Sequence, residues 1–249
     1  MSKILTLARR ELAAYFFSPM AYVIAAMFLG GVGLLFLWGL KIPFLRIDYE
    51  PLFRNGAEAT LRPLFDVLAY GLAIVCPLLT MRSVAEEFRA GTIETLMTAP
   101  ITDAQVILGK FLGAMGLYLV LLASTLAYFA LIVIYGSPDY GVAVMGYLGM
   151  VLLGAVFIAV GIFSSTLTRH QLVAGLVGIA ILGFFTMGVY LLVMLLPETA
   201  EIINRLNMIR YFGDFSKGVF DTQGLIFFVS VTAFFLFLST KVLESRRWR

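Results

Sequence analysis

The sequence contains very little of the side-chain chemistry that soluble enzymes use. Its 249 residues include one cysteine, Cys76, and one histidine, His170. One residue of each type excludes an internal disulfide, a zinc site built from cysteine and histidine, and Cys–His nucleophilic catalysis. A lone histidine in a short polar stretch is more typical of a solvated side chain than of a catalyst. We therefore predict no catalytic, metal-binding or cofactor-binding residue.

Charged residues are also scarce. They make up 13% of the chain, against 61% for hydrophobic residues, and the mean hydropathy is +0.98. Soluble domains are about one quarter charged. The net charge of +3 is too small to support binding to nucleic acid. The composition predicts an all-α, polytopic membrane protein, and the lack of internal repeats indicates a single domain over residues 1–249.

Long apolar runs dominate the rest of the chain, and six of them have the roughly 20 residues that a membrane-spanning helix needs. Thr102-Asp-Ala-Gln105 is a capping-box pattern, which predicts where the third helix begins. The hydroxyls of Ser164, Ser165 and Thr166 close the fourth run, where we expect them to satisfy backbone carbonyls or pack helices. The predicted spans cover about 20–40, 64–81, 105–135, 141–166, 172–196 and 224–241.

The N-terminal segment, residues 1–19, has the pattern of an amphipathic helix. Arg9, Arg10 and Glu11 stand where the apolar core of a signal peptide would have to be. We predict a short helix that lies in the membrane interface, with a plain charged helix end as the alternative. Its apolar face carries Leu5, Ala8, Leu12 and Tyr15.

The distribution of lysine and arginine predicts the orientation. With both termini in the cytoplasm, the inner segments hold eleven of these residues and the outer segments seven. Positive charge accumulates on the cytoplasmic side of membrane proteins. We therefore predict that both termini and the segment 82–104 are cytoplasmic.

The predicted spans lack an energy source of their own. Spans one, four, five and six have no ionisable residue in their interiors, while Asp66 and Lys110 stand near span ends. Ion-coupled transporters and intramembrane enzymes usually place such residues at mid-membrane. The phosphate-binding pattern G-x-x-x-x-G-K-[ST] does not occur either. If the protein moves a cargo uphill, a partner must supply the energy.

The polar segment 82–104 is the best candidate for contact with that partner. It predicts two short helical pieces hinged at Gly91, with carboxylates at Glu86, Glu87 and Glu94 and a stop at Pro100. Glycine permits a backbone bend that a Cβ would resist, and carboxylates can pair with arginine or lysine on a protein surface. An ordinary solvated loop is the alternative.

This segment resembles the first cytoplasmic loop of ABC-2 type permeases, the membrane subunits of type V ABC exporters. The matching pattern is Arg82-Ser-x-Ala-Glu86-Glu87-x-x-x-Gly91-Thr92-x-Glu94-x-Leu96-x-Thr98-x-Pro100. Further similarity begins at Ala8-Arg9-Arg10-Glu11-Leu12, at Gly109-Lys110-Phe111-Leu112 and at Phe163-Ser-Ser-x-Leu167-Thr168. Within the family the sequence looks most like the gliding-motility branch.

The resemblance implies a non-catalytic permease subunit in a bacterial inner membrane. It implies a second permease copy, identical or similar, and separate ABC ATPase subunits that bind ATP–Mg, which this chain does not bind itself. The ATPase would contact the N-terminal helix, with Arg9, Arg10 and Glu11, and the loop between spans two and three. The predicted coupling contacts in that loop are Glu86, Glu87, Gly91, Thr92, Glu94, Thr95, Leu96 and Pro100.

The segment 197–223 also has a counterpart in the family. By itself it predicts an amphipathic helix, on the membrane surface or dipping into it. The resemblance implies a re-entrant segment between spans five and six, with Phe212 and Phe220 at an outer gate. Export of an amphipathic or lipid-like cargo is the implied function. The alternative is a non-transporting mechanotransmitter or scaffold that acts on a periplasmic partner, for example in motility.

Overall fold

The computed structural model describes residues 3–39, 57–91, 101–135 and 139–247, and nearly all of these residues are helical. No strand occurs among them, which confirms the predicted all-α fold. In chain order the α-helices are α1 (Lys3–Phe16), α2 (Pro19–Gly39), α3 (Ala57–Thr80), α4 (Ala85–Ala90), α5 (Asp103–Ser124), α6 (Leu126–Tyr135), α7 (Tyr140–Leu167), α8 (Gln171–Gly183), α9 (Val189–Leu195), α10 (Ala200–Asn204), α11 (Met208–Ser216) and α12 (Thr222–Arg247).

Five helical stretches within the described ranges are long and apolar enough to cross a membrane. They are Leu64–Ala90, Asp103–Ile134, Tyr140–Leu167, Gln171–Leu195 and Thr222–Arg246. A sixth candidate is the pair formed by α1 and the first part of α2, which meet at an angle of 74°. The order of these stretches agrees with the six predicted spans, and the bend separates the N-terminal helix from span one.

Span three begins at the predicted capping box. The Thr102 hydroxyl accepts from the Gln105 backbone N–H, and the Gln105 side chain accepts from the Thr102 N–H, both at 3.3 Å. The stretch Asp103–Ile134 has 32 residues. It is therefore about 48 Å long, well beyond the roughly 30 Å of a hydrocarbon core. The prediction of an overlong third span is confirmed.

Helix α7 is the centre of the bundle. It packs against α3, α5, α8, α11 and α12, and most of its side chains are buried. Four of its glycines each receive a side chain from another helix: Phe65 at Gly146, Phe215 at Gly149, Tyr118 at Gly154 and Thr80 at Gly161. Small residues let helices approach closely where the membrane supplies no hydrophobic drive. Span four thus fixes the positions of its neighbours.

Span five contains a local irregularity. A π-helical turn, Phe184–Gly188, separates α8 from α9. Thr186 lies inside this turn, and its hydroxyl donates to the Leu182 carbonyl at 2.8 Å. The Thr186 hydroxyl therefore gives the Leu182 carbonyl a hydrogen-bond donor next to the π-helical turn, where the regular helical pattern is interrupted.

The segment after span five folds back along the bundle. A 3₁₀ turn (Pro197–Thr199) and α10 lead into α11, which packs against α7 and α3. Phe212 of α11 reaches Gly149, nine residues after the start of α7 at Tyr140. That is about 13 Å along the axis of α7. The segment is therefore inserted between the spans rather than laid over their ends, and its re-entry into the membrane stays a prediction.

The two phenylalanines that we expected at an outer gate occupy different environments. Phe212 is fully buried against α7, whereas Phe220 is 51% exposed with its ring edge-on to that of Phe215. A side chain at 0% exposure packs the core. In the described conformation the face of α11 that carries Phe212 is turned to α7. A role at an outer gate stays a prediction for both phenylalanines.

Candidate coupling site

The polar segment after span two begins with an ordered turn and a short helix. Residues 81–84 form the turn, α4 covers Ala85–Ala90, and Gly91 has a φ of 72° at the end of that helix. A left-handed residue after the last helical turn is the usual glycine helix stop. The first of the two predicted helical pieces thus ends at Gly91, and the second lies outside the described residues.

Ser165, at the end of span four, holds the start of α4 in place. Its fully buried hydroxyl accepts from the backbone N–H groups of Val84 and Ala85, both at 3.0 Å, and donates to the Met81 carbonyl at 3.0 Å. Val84, at the N-cap position, makes no side-chain capping bond. The first N–H groups of a helix have no acceptor within the helix itself. For α4, two of these groups are satisfied by the Ser165 hydroxyl of α7.

The other two hydroxyls at the end of span four bond within α7. Ser164 donates to the Gly161 carbonyl at 2.8 Å and Thr166 to the Phe163 carbonyl at 2.7 Å. The prediction that these hydroxyls satisfy backbone carbonyls is confirmed. The link from Ser165 to α4 was not predicted.

A buried ion cluster joins α4 to two other helices. Lys110 of α5 is 1% exposed, and its Nζ lies 2.9 Å from Oε1 of Glu11 and 2.6 Å from Oε1 of Glu87. The same ammonium donates to the Ser83 carbonyl at 2.6 Å. These three side chains, here called the Lys110 cluster, come from α5, α1 and α4. Two carboxylates and a carbonyl compensate the cost of burying the cation.

Helix α1 lies directly on the start of span three, where the chain has small residues. A Cβ placed on Gly113 would lie 2.6 Å from the Cβ of Glu11 and 3.2 Å from the carbonyl oxygen of Ala8. Gly109 meets Leu7, and Gly116 meets Leu12, in the same way. The close approach brings the Glu11 carboxylate within reach of Lys110.

The predicted apolar face of α1 is therefore largely covered by protein. Leu12 and Tyr15 pack against the core, while Leu5 is 55% exposed. Arg9 and Arg10 are exposed on the same helix. The amphipathic pattern correctly predicted a helix, and one side of it packs against the bundle through partly buried side chains. Its location in a membrane interface stays a prediction.

The turn before α4 is also tied to the bend between α1 and α2. Nη1 of Arg82 donates to the Ser18 hydroxyl at 3.3 Å. Ser18 lies between Phe16 and Pro19, the residues where α1 ends and α2 begins. Besides the Lys110 cluster, this hydrogen bond is a second contact that links the N-terminal helix to the turn before α4.

The structure separates the two adjacent carboxylates of the predicted coupling loop. Glu86 is exposed at the surface and pairs with Arg89 of its own helix at 3.3 Å, whereas Glu87 points inward to Lys110. Glu87 thus has a partner inside the chain, and a contact of Glu87 with a partner protein stays a prediction. Thr92, Glu94, Thr95, Leu96 and Pro100 lie outside the described residues.

The sequence places Lys110 near the end of a span but does not predict the cluster. An ionisable side chain inside an apolar run requires a partner, which is the one signal for the cluster that the sequence contains. The partner could not be identified, because Glu11 lies 99 residues away and Glu87 23 residues away.

A family model described as "ABC-2 family transporter protein" matches residues 13–219. The match begins within α1 and ends three residues after α11, in the segment that follows span five. No individual curated protein matches the chain. The family match does not distinguish the gliding-motility branch, which stays a prediction. Together with the helical spans, it shows that the chain is a multi-pass membrane protein that belongs to the ABC-2 family of transporter proteins.

Proposed function

We propose that the chain is the permease subunit of an ATP-driven ABC transporter, and that a separate ATPase binds to the exposed side of α4. The observation that carries the proposal is the attachment of this six-residue helix to three different helices. Ser165 links α4 to α7, and the Lys110 cluster links it to α1 and α5. A solvated loop would have no need for such anchors.

These anchors give the proposed coupling a mechanical basis. A force applied to α4 acts on the ends of spans two, three and four together, because buried polar contacts connect all of them. Interfaces of this kind shift as units rather than deform continuously. ATP–Mg binds and reacts in the partner ATPase, and this chain transmits the resulting movement.

The exposed surface of α4 suits a charged partner. Glu86 and Arg89 present opposite charges to solvent, and charge-assisted hydrogen bonds to complementary residues are among the stronger surface contacts. The coupling contacts predicted within residues 92–100 would belong to the same binding surface. A second permease copy, a bacterial inner membrane with both termini in the cytoplasm, and an amphipathic cargo complete the proposal.

Co-purification of the ATPase tests this proposal. The wild-type chain, extracted in detergent from its own cell, is compared with Glu86→Lys and with Glu201→Lys. The second variant makes the same charge change at an 85% exposed side chain in α10, far from α4. We expect the ATPase with the wild type and with Glu201→Lys, and much less of it with Glu86→Lys.

Two results would contradict the proposal. A wild-type preparation without any ATPase would leave the chain as a stand-alone membrane protein. Full retention by Glu86→Lys would show that the ATPase binds elsewhere. A complex that assembles and hydrolyses ATP but never moves a cargo would favour the mechanotransmitter.

A further inference from the structure

The last turn of α12 makes a contact with α4 that no sequence pattern suggested. The guanidinium carbon of Arg246 lies 4.6 Å from the centroid of the Phe88 ring in α4. Nη2 of the same side chain donates to the Leu167 carbonyl at 2.6 Å. One side chain of span six therefore contacts both α4 and the end of span four.

Both contacts suit the chemistry of arginine. Leu167 is the last residue of α7, and the final carbonyls of a helix have no acceptor role within it. Arginine near such an end commonly donates to them. The planar guanidinium can stack on an aromatic face while its edge donates hydrogen bonds, which a lysine ammonium cannot do with the same geometry.

These contacts close a ring of three helices. Ser165 of α7 holds the start of α4, and two residues later the Leu167 carbonyl holds Arg246, which covers Phe88 of α4. Helix α12 is itself packed on α7: the rings of Phe163 and Phe235 lie 5.5 Å apart, and Leu243 is 1% exposed. Arg246 thus projects from a well-packed element.

We propose that Arg246 is a positioning residue that joins the coupling helix α4 to span six. Through it, movement of α4 passes to α12 as well as to spans two, three and four. The inference rests on the proposed role of α4 as the ATPase contact. It concerns a helix that begins at Thr222, beyond the matched residues 13–219.

The test uses the assembled transporter, permease with its co-purified ATPase, in lipid nanodiscs. ATP–Mg is the probe, and the measured quantity is the ATP turnover of the complex minus that of the isolated ATPase. The variants are Arg246→Ala, Arg246→Lys, Phe88→Leu and the double variant Arg246→Ala/Phe88→Leu. Lys241→Ala is the control, because within the described part of the chain Lys241 pairs with Glu244 and lies over the Phe237 ring, both in its own helix.

We expect Arg246→Ala to reduce the permease-dependent turnover about fivefold, the equivalent of one exposed cation–π contact with its hydrogen bond, and Phe88→Leu to reduce it less, because it removes the ring contact alone. The double variant should be no worse than Arg246→Ala, since that change already removes the contact with Phe88. Arg246→Lys should fall between wild type and Arg246→Ala. Lys241→Ala should match the wild type, and thermal stability should be unchanged in all variants.

Three outcomes would overturn the inference. The first is a permease-dependent turnover of Arg246→Ala equal to that of the wild type, and the second is a double variant whose loss of turnover is the full sum of the two single losses. The third is a loss of turnover that parallels a loss of thermal stability and is as large in Arg246→Lys as in Arg246→Ala. A wild-type complex that turns over ATP no differently from the isolated ATPase would instead count against the proposed function. The two failures are therefore distinguishable.

Discussion

A single lysine attaches α4 to two other helices. Lys110 sits in an apolar helix, and its charge is neutralised by carboxylates from α1 and α4. Removal of one partner from a buried ion pair costs more than the pair contributes, because the remaining charge stays buried without compensation. The Lys110 cluster is therefore sensitive to substitution in a way that the exposed charges of α4 are not.

Lys110→Met should be strongly destabilising. The change leaves the Glu11 and Glu87 carboxylates facing each other without a cation, at a cost on the order of 3–5 kcal/mol. The midpoint of thermal unfolding in detergent measures the effect, with Lys241→Met as the control, since Lys241 is about half exposed. Equal midpoints for the two variants would show that the cluster does not stabilise the fold.

Ser165→Ala should loosen α4 without unfolding the bundle. It removes the acceptor for the Val84 and Ala85 N–H groups, a capping loss of about 1–2 kcal/mol. Hydrogen exchange of the amides in 84–90 should accelerate roughly tenfold, because exchange reports local opening. Ser164→Ala is the matched control, since Ser164 bonds only within α7. Unchanged exchange in Ser165→Ala would contradict the capping role.

The packing of α1 on α5 is the main feature at the scale of elements. Glycines on α5 make room for α1, and the ion cluster forms only because the two helices are this close. The glycines of spans one and five do not share this role uniformly: Gly178 meets Pro77, while Gly31 and Gly183 have open space around them. Glycine in these spans is therefore not a uniform sign of close packing within the chain.

Gly113→Ala should displace α1 and weaken the proposed coupling. The new methyl group would lie 2.6 Å from the Cβ of Glu11, so that the helix axes must separate. We expect a lower thermal midpoint and less co-purified ATPase. Gly31→Ala is the control, because nothing lies within 4 Å of its added Cβ. A Gly113→Ala variant as stable as Gly31→Ala would contradict the close α1–α5 contact.

At the scale of the whole molecule, the described helices have a centre and two ends. Span four contacts most other helices, α4 and the end of α12 meet at one end, and α10 lies at the other. The lysine and arginine count predicts that the end with α4 is cytoplasmic. This orientation is open to a direct measurement.

Labelling with a membrane-impermeant maleimide should reveal this orientation in intact spheroplasts. Cys76 is fully buried, and replacing it with alanine gives a background without thiols. A single cysteine at the exposed position Glu201 should react from outside, and one at Arg89 only after permeabilisation, because the membrane blocks the reagent. The opposite pattern would reverse the predicted topology.

Hydrophobicity and local chemistry determined much of this protein from the sequence alone. The six apolar runs, the capping box at Thr102, the glycine bend at Gly91 and the ABC-2 resemblance all depend on neighbours in the chain or on composition. The lipid environment requires helices with internally satisfied backbones, so hydropathy suffices to locate them. The family match confirms the broad identity that these features indicated.

Only the tertiary structure decided which polar side chains work together. Glu86 and Glu87 are neighbours in sequence, yet one faces solvent and the other binds Lys110. Ser165 lies 80 residues from Ala85, the first residue of the helix that it caps. Phe212 is a core residue because α11 folds against Gly149. Contacts between distant segments depend on how helices cross and rotate, and the periodicity of one helix contains no information about its neighbour's angle.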